Sequence, residues 1–130
     1  MILLLDFAVG QDIQGQKIIG EWGIVKDSHN SMDLFSSKYS FQFNKDKKFL
    51  ILKPIEGKIE MRVDETGTYE LIKDSIEIKI IQEDGIDLVT PQSITFKVIR
   101  LSESELILQW PKLVNINDRK QYPELKFKKE

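Results

Sequence analysis

The 130-residue chain has no cysteine, which removes disulfides, thiolate metal sites and thiol nucleophiles in one step. Its one histidine, His29, cannot furnish a zinc site of the usual multi-histidine kind. No apolar run is long enough to span a bilayer. Neither sign of charge dominates: 19 basic against 21 acidic residues leave a net charge of −2, which draws the chain neither to nucleic acid nor to anionic lipid. The basic tail from Lys126 to Lys129 alternates with Leu125 and Phe127 and reads as the solvent face of a strand. Phosphate-cradling glycine loops, nucleophile elbows and His-Glu-x-x-His are all missing. Asp64-Glu65 and Glu83-Asp84 sit beside glycines, where turn chemistry accounts for them. No catalytic residue, metal ligand or cofactor is assigned, and enzyme is the weaker class.

What the chain does have is period-two alternation in runs rich in β-branched and aromatic residues. Eight such runs stand out: Ile18 to Lys26, Tyr39 to Asn44, Phe49 to Lys53, Thr68 to Ile72, Ile76 to Ile81, Ser93 to Leu101, Leu106 to Trp110 and Leu125 to Lys128. Short connections of turn-forming and charged residues alternate with long ones, Asp27 to Lys38, Pro54 to Gly67, Gln82 to Gln92 and Pro111 to Glu124. A closed antiparallel meander built this way is a cup, sealed by tight turns at one end and ringed by long loops at the other. No composition break marks a second domain, so residues 17–130 are expected to form one all-β, eight-stranded up-and-down barrel.

Residues 1–16 are expected to be an appendage, either a short helix or a disordered arm. Ile2 to Leu5 with Phe7-Ala8-Val9, and small residues ahead of Gln11, resemble the end of a secretory signal, whereas Asp6 and the missing basic residues oppose it. Export to the periplasm or medium is the expectation; the alternative is a cytoplasmic protein whose apolar start packs against the barrel.

Alternation also sorts the side chains, because successive strand residues face opposite ways. Trp22, Phe41, Phe43, Phe49, Tyr69, Ile78, Phe96, Leu108 and Phe127 fall on the inner face, and Arg100 follows them by parity. Arg100 is expected at the sealed end, over the indole of Trp22, or else one step beyond its strand and in water. The outer face carries Ile19, Val25, Leu50, Leu52, Ile72, Ile81, Ile99 and Leu101, more apolar residues than a solvated wall needs.

Gly20-Glu21-Trp22, the run Tyr39 to Asp46 with Phe49, Gly67-Thr68-Tyr69-Glu70-Leu71 with Ile76-Glu77-Ile78, and Phe96-Lys97-Val98 leading to Leu106 together resemble a bacterial lipocalin-like domain related to the calycin barrels. The resemblance spans roughly Lys17 to Lys128. It implies the barrel, structural roles for Gly20 and Trp22, and a capacity to hold small apolar molecules. The Thr-Asp-Tyr turn motif of better-known lipocalins is absent, and no final-strand arginine takes its usual place over the tryptophan; Arg100 is the substitute candidate.

At the long-loop end, parity selects Lys26, Tyr39, Lys53, Ile80, Ile94 and Trp110 as ligand-binding candidates. Lys26 and Lys53 suit a carboxylate or phosphate head, with the aromatic wall taking an apolar tail; alternatively both lysines reach into solvent. His29, Met32 and Phe35, with Leu34, are lid candidates in the first long connection. Two functions follow: a binding protein for a small hydrophobic, fatty-acid-like ligand, or a filled barrel acting as a protein-interaction module such as an exported inhibitor or envelope component.

Overall fold

A computed structural model describes residues 15–25, 39–116 and 118–130. The expected appendage up to residue 14, and with it the export segment, lies outside the described residues, as does most of the first long connection. After a helical turn at 15–18 come strands β1 (Gly20–Ile24), β2 (Ser40–Phe43), β3 (Lys48–Pro54), β4 (Met61–Ile72), β5 (Ser75–Glu83), β6 (Ile86–Leu101), β7 (Glu105–Gln109), β8 (Val114–Ile116), β9 (Arg119–Gln121) and β10 (Glu124–Lys129). Eight of them close into an antiparallel barrel in the order β1-β10-β7-β6-β5-β4-β3-β2, while β8 and β9 form a separate two-stranded ribbon. Each barrel strand pairs with its successor, and β10 returns to β1 to abolish the sheet edge.

The tight turns hold because local side chains supply what the backbone lacks. In the β2–β3 turn the Lys48 amide donates to Asp46 Oδ1 at 3.2 Å. In the β6–β7 turn Ser102 Oγ accepts from the Glu105 amide at 3.0 Å. Between β4 and β5, Lys73 takes the left-handed conformation, with φ 55°.

Strand lengths differ from expectation at the other end. Two of the four long connections are largely strand: β4 starts at Met61, and β5 and β6 run on to a two-residue hairpin at Asp84-Gly85. Asp84 and Gly85 have φ of 51° and 77°, the pair of left-handed residues a type I′ turn requires. Alternation missed these extensions because bulges interrupt it. The β3–β4 register passes from Ile51 opposite Glu65 to Leu52 opposite Val63, leaving Asp64 as the extra residue. On β6, residues 88–91 have no partner between the pairs Gln82–Asp87 and Ile80–Gln92, which is how Pro91 is accommodated within a strand.

The core fills the sealed end. Trp22, Phe43 and Phe127 are completely buried, with Phe41, Phe49 and Tyr69 nearly so. Phe41 lies 5.2 Å edge-on from Phe49 and 4.9 Å from Phe127, and Phe43 meets Tyr69 edge-on at 5.0 Å. Pairs of this kind contribute roughly 0.5–1.5 kcal/mol each beyond the area they bury. The Tyr69 hydroxyl donates to the Asn44 carbonyl at 2.7 Å, so the ring's one polar atom is satisfied at the barrel floor. Burial, and then the charge of Asp46, raise its pKa.

Arg100 is not the cation over Trp22. The β6–β7 register shifts between Val98 and Arg100, so Leu101 rather than Arg100 returns to the interior. Arg100 points outward and its Nε lies 2.8 Å from Glu105 Oε1. The cation is Lys129 on the final strand, its Nζ 5.1 Å from the indole centroid and donating to the Lys17 carbonyl at 3.3 Å. Gly20 makes room for it: φ is 135°, and a Cβ there would lie 2.8 Å from Lys129 Cε. Trp22 Nε1 donates to the Ile18 carbonyl at 2.8 Å, tying the helical turn to the floor.

Candidate functional site

Aromatic filling stops halfway up the barrel. Above Phe41 and Phe49, a cavity of about 400 Å³ opens toward the end opposite the tight turns. That volume falls in the range of small-molecule sites, roughly 300–1,000 Å³. Its apolar wall comes from inward positions of successive strands: Ile51 of β3, Ile78 and Ile80 of β5, Ile94 and Phe96 of β6, and Trp110 just past β7. Phe96 and Trp110 pack with centroids 5.6 Å apart, which fixes the half-buried indole against the wall.

Among the described residues the polar lining is sparse: Glu65, Gln92, Ser93 and Lys112. Glu65 reaches the inner side by strand parity with Gly67, Tyr69 and Leu71, confirmed by its register opposite inward-facing Ile51. Across β4–β5 it stands opposite Glu83. Its pKa is raised, first by partial burial and then by the negative charges of Asp64, Glu83 and Asp84.

Of the residues singled out by parity, Ile80, Ile94 and Trp110 are brought together on the cavity wall. Tyr39 is half-buried and packs against the core, without lining the cavity. Lys53 does not line it either: its Nζ lies 3.4 Å from Asp64 Oδ1 at the rim, so the expected head-group lysine already has an internal carboxylate. Lys26, His29, Met32 and Phe35 lie outside the described residues.

The family profile of the lipocalin-like domain matches residues 18–108, which spans most of the barrel and the cavity wall. The chain belongs to the lipocalin-like domain family. Its fold is similar to the crystal structure of an uncharacterized protein from Bacteroides eggerthii, at 16% identity and a TM-score of 0.56, covering 87% of this chain and 99% of that one. No curated protein matches the chain.

In this lipocalin-like barrel the residue that strand reasoning missed is Glu65. Its neighbour Gly67 reads as turn chemistry, yet counting back by two from Tyr69 leads straight to Glu65. The other missed residues, Gln92 and Lys112, had no comparable signal, because the irregular start of β6 and the β7–β8 connection follow no period. Among the described residues, no helix is long and apolar enough to cross a membrane.

Proposed function

We propose that this domain is a binding protein that holds a small apolar molecule in the upper half of its barrel. The observation that carries this reading is the 400 Å³ cavity walled by aliphatic and aromatic side chains and open at one end. Packed cores leave few voids larger than a water molecule, so an apolar space of this size is costly unless something fills it. The ligand rests on Ile80, Ile94 and Trp110. The reading is binding rather than catalysis, since among the described residues the polar lining offers no nucleophile and base in partnership.

Titrating delipidated protein with a polarity-sensitive apolar dye and with long-chain alkyl compounds, followed by tryptophan emission, tests it. Saturable one-to-one binding that changes the emission, and a loss of that change in Trp110→Phe, is the expected result. Absence of saturable binding by folded protein overturns it.

A second reading, a protein-interaction module, draws support from one feature. Ile59, Ile86, Val89 and Leu113, all on segments at the open end, are exposed apolar side chains. It requires a partner seated over the mouth, and it predicts that no small ligand competes for the cavity.

A further inference from the structure

Among the described residues the cavity has two ionisable lining groups, Glu65 and Lys112, which differ in how firmly they are placed. Lys112 is exposed on the connection after β7, where a solvated ammonium gains little from an ion pair. Glu65 sits within β4, half-buried between Ile51 of β3 and Glu83 of β5. Its own strand supplies Asp64 and Arg62, β5 supplies Glu83, the β5–β6 turn Asp84, β3 Lys53, and β6 the neutral Gln92. Both neighbouring cations are engaged elsewhere, Lys53 with Asp64 at 3.4 Å and Arg62 with Asp84 at 3.2 Å. Among the described residues, no ion pair includes Glu65. The side of the cavity mouth that carries the rigid polar group is therefore acidic in excess, four carboxylates against two cations.

We propose that Glu65 sets the head-group preference of the cavity, selecting amphiphiles that carry a protonated amine over those that carry a carboxylate. The proposal rests on the reading of the cavity as a ligand site. The apolar tail lies against Ile80, Ile94 and Trp110, and the ammonium donates to the Glu65 carboxylate at the rim. A charge-assisted hydrogen bond there repays the partial burial of Glu65. A carboxylate head in the same place meets a like charge with no unengaged strand cation to offset it.

The test uses decylamine, decanol and decanoic acid, which share one chain and differ in the head, measured by titration calorimetry near neutral pH on the native protein, Glu65→Gln and Lys112→Gln. Decylamine is expected to bind about tenfold or more tightly than decanol, with decanoic acid weakest. In Glu65→Gln the amine loses its advantage over the alcohol, whereas in Lys112→Gln the amine stays ahead of the acid. Circular dichroism establishes that each variant is folded, and Glu65→Asp retains part of the amine preference. If decanoic acid binds as tightly as the amine, or Glu65→Gln leaves the amine's advantage intact, the head-group assignment is wrong, while decanol binding keeps the cavity reading alive. If none of the three binds folded protein, both readings fall together.

Discussion

Glu65 carries a stability cost whose sign can be worked out. Its folded-state pKa is raised above the ordinary carboxylate value by burial and by Asp64, Glu83 and Asp84. Between those two values the native state holds more proton than the unfolded chain, so stability falls as pH rises through that window and stays lowered above it. Glu65→Gln is therefore expected to raise the melting temperature at neutral pH, with the gain shrinking as pH drops toward the ordinary carboxylate range; thermal melts across pH read this directly. A gain of equal size at all pH values would place its origin elsewhere. At the floor the opposite holds for Lys129, which stacks on Trp22 and donates to the Lys17 carbonyl. Lys129→Ala is expected to cost about 1 kcal/mol in denaturant unfolding, and Lys129→Arg to recover it, because a guanidinium keeps both contacts. These two residues also mark what single positions revealed. Trp22 and its aromatic neighbours were legible from parity alone. Arg100 was not, because one extra residue at the Ile99 bulge reverses every side chain that follows.

Bulges play the same part at the level of whole strands. The eight barrel strands and their pairing were readable because alternation survives wherever the inner face is aromatic or β-branched, as in β2, β3, β5 and β7, whereas the β8–β9 ribbon reads as a loop. The first half of β4 and the start of β6 lose that pattern: Arg62, Asp64 and Glu65 surround a bulge, and residues 88–91 leave the ladder altogether. Asp84-Gly85 reads as turn chemistry from the sequence and is a turn, but the strands on either side of it read as one long connection because the flanking runs do not alternate cleanly. The register shift beside Gly67 has a mechanical consequence. A methyl group on Gly67 would run into the Lys79 carbonyl of the neighbouring strand, backbone against backbone. Gly67→Ala is expected to destabilise the fold by about 1–3 kcal/mol, the range for overpacking against a wall that cannot yield. Gly57→Ala, with open space around its Cβ but φ of 75°, tests only backbone strain and should cost about 1 kcal/mol. Chemical denaturation of the pair separates a steric clash from a conformational preference.

Across the molecule, the barrel divides into a filled floor and a hollow mouth, and each half holds one of the chain's two tryptophans. Trp22 has no exposed surface and lies within the buried core, whereas Trp110 is half-buried on the cavity wall. A soluble quencher should therefore reach Trp110 and spare Trp22. Native protein is expected to show a quenchable and an unquenchable fraction of emission, and Trp110→Phe only the unquenchable one, shifted to shorter wavelength. The substitution lies away from the floor, so the melting temperature of Trp110→Phe should change far less than that of Trp22→Phe, which opens a void among completely buried rings and costs several-fold more. An apolar ligand seated below the mouth adds a third observable: it should shield Trp110 from the quencher and leave Trp22 as it was. Equal quenching of both indoles would mean that the floor admits solvent, contrary to the packing of Phe41, Phe43, Phe49 and Phe127. Protection of Trp22 by ligand would move the binding site to the floor, below the Phe41 and Phe49 rings that bound the cavity.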